Sequence, residues 1–300
     1  MGADYFLTEN IHYVIISPTH PFYGRQAAIA TMHDKQKIIA PILARWCGID
    51  LNLAAGVNTD ALGTFTGEIP RAGSMLDAAR AKARLAIEIS GHSIGLGSEG
   101  SFGPHPVALF LSSSIELMVL FDAKTNHEVV VQKRFQTNYD SIIIKVGQDV
   151  SSFLKRIGFP DHAVIVRPEQ SKEVDGIFKG IIDLHQLDVA IRDASKFSNT
   201  DSVIIQTDMR AHLNPTRKIS IKYLTKRLAL RIARLCPVCR APGFGLIKDL
   251  QGLPCQVCNL PTKIKRAELH GCAACSHQRV CRERSPFMRA EAVWCDVCNP

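Results

Sequence analysis

Nine of the ten cysteines crowd into the last 65 residues of this 300-residue chain, and eight of them form C-x-x-C pairs. The pairs are Cys236/Cys239, Cys255/Cys258, Cys272/Cys275 and Cys295/Cys298. Each pair makes a tight turn that offers two thiolates to one tetrahedral ion, and two pairs separated by 15 to 20 residues form a zinc-site pattern. The gaps here are 15 residues, Arg240 to Pro254, and 19 residues, Ser276 to Trp294. The end of the chain is therefore expected to fold around two zinc ions. Closed four-cysteine sites leave no coordination position for water, so their role is structural. Sequential pairing and an interleaved cross-brace both satisfy the spacing, with Cys281, His270 and His277 as spare donors. A disulfide framework would need a secreted chain, and "ADYFLTENIHYVIIS" lacks the basic start and cleavage site of a signal peptide. Phe6 stands where myristoylation needs Ser or Thr. A cytoplasmic location is expected, with no membrane span.

The net charge of +8 is unevenly spread. From Pro215 to Pro300 there are 16 Lys/Arg against 5 Asp/Glu, a surplus of 11, while the rest carries 20 against 23. Two four-thiolate zinc sites, each near −2, would lower that surplus to about 7. The basic end suits phosphate contacts, as in nucleic-acid binding through Arg279, Arg282, Arg284 and Arg289. Aromatic residues for base stacking are few there, with Phe287 and Trp294 the only ones after Phe244.

Ahead of the cysteines, strand and helix signals alternate, which argues for an α/β layer fold with a mixed sheet and flanking helices. "IHYVIIS" (11–17) reads as a buried strand, "DKQKIIAPILARWCG" as a helix that tolerates Pro41, and "IDLNLAAGV" as a strand. In "SMLDAARAKARLAIEISG" Ser74 can cap a helix with Asp77 three residues on, and Gly91 marks the stop. "SSIELMVLFD" and "HEVVVQKRF", joined by "AKTN", read as an antiparallel hairpin. "QDVSSFLKRIG" and "SKEVDGIFKGIIDLHQLDVAIRDAS" read as helices, "HAVIVRP" and "DSVIIQTD" as strands. "NPTRKISIKYLTKRLALRIARL" reads as a long helix leading into Cys236. The organisation expected is an α/β domain over 1–235, with a division into 1–146 and 147–235 left open. A small zinc-ribbon-like module over 236–300 follows.

"GLGSEGSFGP" matches G-x-G-x-x-G at Gly95, Gly97 and Gly100. A dinucleotide turn needs a helix opening on the glycines, and Pro104 and Pro106 prevent one. What remains is Glu99, expected at a strand end among small residues. Glu68 lies in the Thr/Gly-rich loop "GTFTGE". Asp60 and Asp122 also fall at loop tips or strand ends but read as ordinary surface acids. Glu68 and Glu99, with Lys35, Arg71 and Lys82 nearby, suit Mg²⁺ or Mn²⁺ chemistry on a phosphorylated small molecule: carboxylates hold the cation and basic groups neutralise phosphate. Asp208, Arg210, His212 and Arg217 sit between a strand and the long helix, where the two arginines can bind an anion. His105 and His212 are read as structural before catalytic.

Two resemblances bear on function. The order of "TMHDK" (Thr31, His33, Lys35), "TGEIPR", "AKA" around Lys82, "SEGSF", the hairpin and "NPTR" (Thr216, Arg217) resembles the inosine/xanthosine triphosphatases. That resemblance covers roughly residues 11 to 235. It departs in the shorter "TMHDK" loop, in His33 for Asn and in Ser101 for Gly. It implies that Glu68 and Glu99 hold Mg²⁺, that Lys35 binds phosphate, and that water attacks the α-phosphorus to release pyrophosphate. "GTFTGE", "SEGSFGPHP", "TDMRAHLNPTR" and "CDVCNP" resemble a bacterial domain-of-unknown-function family over nearly the whole chain, which implies no activity. Two classes of function stay open. One is a Mg-dependent hydrolase of nucleotides or other phosphorylated metabolites. The other is a non-enzymatic binding protein whose basic zinc module contacts nucleic acid or a protein. Either is compatible with an oligomer.

Overall fold

The computed structural model describes residues 15–56, 73–170, 175–282 and 288–300. A five-stranded sheet organises the first half of the chain. Its strands are β1 (Gln26–Ile29), β2 (Asp50–Leu53), β3 (Ile94–Pro104), β4 (Ser112–Asp122) and β5 (His127–Gln136). Their order is β2-β1-β3-β4-β5; β2, β1 and β3 are parallel, and β3, β4 and β5 are antiparallel. Helix α1 (Lys35–Cys47) links β1 to β2, and α2 (Met75–Ser90) lies between β2 and β3 in the chain. The winding therefore reverses at β1 and β3. In open α/β sheets that switch point, at the carboxyl ends of the parallel strands, is where ligands bind.

A second sheet is inserted between β5 and the long helix. It contains β6 (Ser141–Lys145), β7 (Val164–Pro168), β8 (Phe178–Ile181) and β9 (Ser202–Thr207) in the order β6-β9-β7-β8, all antiparallel. Its core is shared with α3 (Ser151–Ile157) and α4 (Leu184–Ser195) through Phe153, Leu154, Leu187 and Ile191. Helix α5 (Pro215–Ala233) then returns to the first sheet and packs beside α1. The cysteine-rich end forms a third sheet, β10 (Gly245–Gln251), β11 (Lys265–Gly271) and β12 (Gln278–Arg282), antiparallel in that order.

The two faces of the first sheet are built differently. Ile94 and Leu96 of β3, with Met118, Leu120, Val129 and Phe135, meet Ile39, Leu43, Leu224 and Leu228 of α1 and α5. The opposite face meets α2, and there alternation brings Gly95 and Gly97 to the helix backbone. A Cβ on Gly95 would stand 1.9 Å from the Ala83 carbonyl oxygen, and one on Gly97 would stand 1.8 Å from that of Ala79. The glycines of "GLGSEG" are thus the seat of a helix on a strand. Buried Ala79, Ala83 and Ala86 complete the close approach.

Several sequence expectations hold element by element. Helix α2 has the capping box of Ser74 and Asp77, and Gly91 takes the left-handed conformation at its end. The "AKTN" hairpin is β4–β5 in full register. Others are corrected. Residues 11–14 lie outside the described residues and 15–17 are not strand; the first described strand is β1, whose "QAAI" carries too little apolar pattern to announce itself. Within "SKEVDGIFKGIIDLHQLDVAIRDAS", Phe178–Ile181 is a strand and the helix starts only at Leu184, capped by Asp183. Glu99 is inside β3, five residues before its end, because the pairing with β4 continues to Pro104.

Gly97→Ala should destabilise the fold by about 3 kcal/mol, since a methyl driven into a backbone carbonyl has no rotamer to escape through. Gly103→Ala, where a Cβ meets nothing within 4 Å, should change stability by less than about 0.5 kcal/mol. Urea unfolding of the two variants beside the parent chain reads the difference.

Candidate functional site

Beyond Gly97 the same strand turns polar, and its alternation distributes the polar groups over both faces. Ser98 and Gly100 point toward α1 and α5, whereas Glu99 points toward α2. Lys82 of α2 forms an ion pair with Glu99, both largely buried. On the other face Arg217, in the first turn of α5, donates from Nε to Glu116 of β4 at 2.8 Å. Glu116 is fully buried and Arg217 is 7% exposed. A Cβ on Gly100 would stand 2.4 Å from the Arg217 guanidinium and 3.0 Å from the Glu116 carboxylate. Glycine here makes room for the ion pair. The Arg217 guanidinium also lies 4.9 Å above the centre of the Phe102 ring.

Lys35, the first residue of α1, reaches between these pairs. Its Nζ donates to the Ser98 carbonyl oxygen at 2.9 Å and lies 3.3 Å from Ser98 Oγ. The side chain is buried, yet no described carboxylate comes within ion-pair distance of it. Burial pushes its pKa down to about 7, and Arg217 pushes the same way, while Glu116 and Glu99 act against them. His33 precedes it in the β1–α1 connection and stacks on His212 at 5.5 Å between ring centroids. Burial holds His33 down at about 4, and the charges of Lys35, Arg210 and Arg217 contribute. His212 is also lowered, by burial first and then by Arg210. Its Nδ1 is buried with no hydrogen-bond partner among the described residues. Burial is the larger cause of both lowered values, and Arg210 adds to it at each ring.

The β9–α5 connection closes the site. Asp208 is fully buried and accepts Arg210 Nη2 at 2.6 Å, Arg210 Nε at 3.0 Å and the Gly180 amide of β8 at 3.1 Å. Asn214 caps α5 by accepting the Arg217 amide at 2.9 Å, and its Nδ2 donates to the Asp208 carbonyl. Lys35, Lys82, Glu99, Arg210 and Arg217, singled out in the sequence, thus gather at the carboxyl edge of β1 and β3. Glu68, Arg71 and Asp60 lie outside the described residues. Asp122 is not part of the site: Arg25 holds it bidentately at 2.7 Å and it caps the turn at Lys124 and Thr125. His105 is a turn residue whose Nδ1 accepts the Val107 and Ala108 amides. Sequence reading missed Glu116 and Ser98. The signal for Glu116 was a single acid in the apolar run "IELMVLF", at an inward register position.

The cysteines resolve into two sets. Cys236, Cys239, Cys272 and Cys275 converge at one point, and Cys255, Cys258, Cys295 and Cys298 at another, each with sulfurs within 4.8 Å of one another. The pairing is therefore interleaved: the first and third pairs share one site, the second and fourth the other. Between pairs, Sγ···Sγ distances run from 3.5 to 4.0 Å. That is far from a disulfide at about 2.05 Å and close to the roughly 3.8 Å edge of a tetrahedron with Zn–S near 2.3 Å. Amides of Val238, Val257 and Ala274 donate to the first cysteine of their turns. Arg240 and Asn259, each following its pair, take the left-handed conformation that closes the knuckle. The donor chemistry and geometry fit two structural zinc ions. The spare donors are engaged elsewhere: His270 bonds Glu268 at 2.6 Å, His277 stacks on Phe244, and Cys281 faces Glu268 in the β11–β12 register. Cys47 is a packing residue, its thiol pushed up to about 12 by burial.

A divalent cation such as Mg²⁺ or Mn²⁺ finds no such site among the described residues. The two cysteine sets are the only metal-capable groups there, and Glu99, Glu116 and Asp208 each already carry a basic partner. Among the described residues no helix is long and apolar enough to cross a membrane.

A family model described as a domain of unknown function (DUF6671) matches residues 82–300. No curated protein and no solved structure matches the chain.

Elemental analysis of the purified chain should find about two zinc ions. Cys255→Ser and Cys272→Ser should each lose about one of them, from different sites. Because the sites interleave, either loss should also raise protease sensitivity across the whole of 236–300.

Proposed function

The chain belongs to this family of unknown function, which supplies no activity, and we propose one from the crevice alone: it binds a phosphorylated small molecule and hydrolyses it. One observation carries the reading. Lys35 is buried at a topological switch point without a described carboxylate to neutralise it, while Glu99, Glu116 and Asp208 are already matched by Lys82, Arg217 and Arg210, and Asp34 by Lys37. A buried ammonium that lacks a counter-ion is costly, and an anionic ligand would supply one. Phosphate suits the place because its oxygens can accept from the Lys35 ammonium, and the nearby charge of Arg217 favours an anion there. Water then attacks phosphorus and gives up a proton to solvent, the bridging P–O bond of a phosphoanhydride breaks, and the leaving phosphate carries away the electron pair. The contribution of these residues is positioning and charge neutralisation. No step is routed through Mg²⁺ or Mn²⁺, since the described carboxylates offer it no open set.

The same full pairing of carboxylates favours a second reading, a binding protein that senses the ligand without turning it over. No described acid in the crevice is left uncommitted to act as a base.

Calorimetric titration with pyrophosphate and with nucleoside triphosphates, followed by assay of phosphate and pyrophosphate release with and without Mg²⁺, separates the readings. Release supports hydrolysis; binding without release supports the sensor; absence of binding overturns both. An anion stabilises the protonated Lys35, so binding should take up a proton near neutral pH. Affinity should fall as pH rises through about 7, in keeping with the lowered pKa of this group. Lys35→Met should weaken binding by at least about 10-fold and flatten the pH profile, as expected for loss of a charge-assisted contact worth 1.5–3 kcal/mol or so.

A further inference from the structure

At the opposite end of α5 from Arg217 lies a second basic concavity, about 890 Å³, between β5, the last turns of α5 and the third sheet. Arg227, Arg231 and Arg234 line it at spacings of four and three residues, which stacks them on one face of the helix. Such like-charge neighbours work against a helix, although their place near its C-terminus is favourable to the dipole. Arg231 serves the fold, because it donates to the carbonyls of Gly243 and Val130 and so ties the first zinc knuckle to β5. Arg227 and Arg234 flank it along the groove wall. Lys133 and Arg134 of β5 and Lys265 of β11 also line the groove, with Lys133 donating to Tyr223 and Arg134 to Ser113. The lining holds six basic side chains against two carboxylates, Asp249 and Glu268, which lie 3.1 and 2.8 Å from Lys265. Positive charge is therefore in excess across the groove.

We infer that this groove takes the phosphate backbone of a nucleic-acid strand. Several basic groups spread over three elements exceed what one phosphate needs, and they match a chain of phosphates. The apolar surfaces of Leu230, Leu246 and Ile247 among them suit a ligand that carries flat bases as well as charge. No Phe, Tyr or Trp is in the lining, so affinity rests on phosphate contacts, which carry no sequence information, and not on a stacking platform. The contact surface is thereby placed between the sheets, rather than on the knuckle arginines Arg279 and Arg289. It is also separate from the Lys35 crevice, since ten residues of helix, about 15 Å, lie between Arg217 and Arg227.

Fluorescence anisotropy tests this on the whole chain, with labelled 20-nucleotide single-stranded RNA and DNA from 50 to 200 mM salt and tripolyphosphate as competitor. Salt-dependent binding of either strand is expected. Arg227→Glu/Arg234→Glu should weaken it at least 10-fold and lower the slope of log affinity against log salt by about 1.4, two contacts of roughly 0.7 each. Arg279→Glu/Arg289→Glu should stay within about two-fold of the parent. Should the groove variant lose zinc or its circular-dichroism spectrum, Arg234→Glu alone, at an exposed position, reads the same surface, with a slope change near about 0.7. No binding at 50 mM salt, or groove variants that bind like the parent, would overturn the inference. So would tripolyphosphate displacing the strand at equal phosphate concentration, which would make the ligand inorganic. None of these outcomes depends on the Lys35 crevice, which Lys35→Met probes separately.

Discussion

The close seat of α2 on β3 governs this molecule. Two missing side chains, at Gly95 and Gly97, let the helix backbone descend onto the strand at Ala79 and Ala83. That descent sets the height at which Lys82, one turn from Ala79, meets Glu99, two residues from Gly97. Gly100 then does for the other face what its predecessors do for the first, clearing space for Arg217 to reach Glu116. One strand segment thus changes from core to site within three residues. The pleat alone divides its polar groups between two helices. The buried ion pairs are weak evidence for net stability, because desolvation offsets most of their attraction. They are better understood as fixing where the basic side chains end, which leaves Lys35 as the buried cation that no described carboxylate neutralises.

Local signals in the sequence were legible where one interaction range sufficed. The capping box at Ser74 and Asp77, the stop at Gly91 and the β4–β5 hairpin all depend on residues within a few positions of one another. The four C-x-x-C turns and their zinc chemistry were legible for the same reason. Pro104 and Pro106 were enough to reject a dinucleotide turn, yet they could not reveal what Gly95 and Gly97 are for, since the contact partner lies in α2 and is set by topology. Glu99 illustrates a related limit. Its neighbours suggested a strand end because glycine and serine weaken strand propensity, but pairing with the long, apolar β4 carries β3 on to Pro104. Glu116 was hidden in the opposite way, by apolar neighbours that made its strand look like plain core.

The cysteine topology was beyond reach of spacing because closure entropy grows only slowly with loop length, so gaps of 15 and 19 residues in sequential pairing differ little in cost from gaps of 32 and 36 in interleaved pairing. Interleaving has a mechanical consequence that sequential pairing would lack. The chain visits the first site, the second, the first again and the second again, so β10 and β11 each run from one cysteine set to the other. The first knuckle is also joined to the five-stranded sheet. Gly243 has no room for a Cβ between Val129 and Ala273, and Arg231 donates to its carbonyl. Metal binding at that site is therefore coupled to the edge of the sheet through β5, as metal-dependent folding generally couples ligand geometry to chain order.

Helix α5 links the two basic regions. Its N-terminus carries Arg217 into the crevice and its C-terminal turns carry Arg227 and Arg234 into the groove, while its apolar side packs on α1 and the sheet. A rigid helix between two basic regions fixes their separation. It does not by itself connect them energetically, because coupling requires an element with two arrangements that both ligands bias. The surroundings of Arg217 argue against motion at the crevice end: its partners Glu116, Asn214 and Met209 are all fully buried. The groove end is built differently: Arg234 is exposed there, and Arg231 ties the Gly243 turn to β5 through two backbone carbonyls.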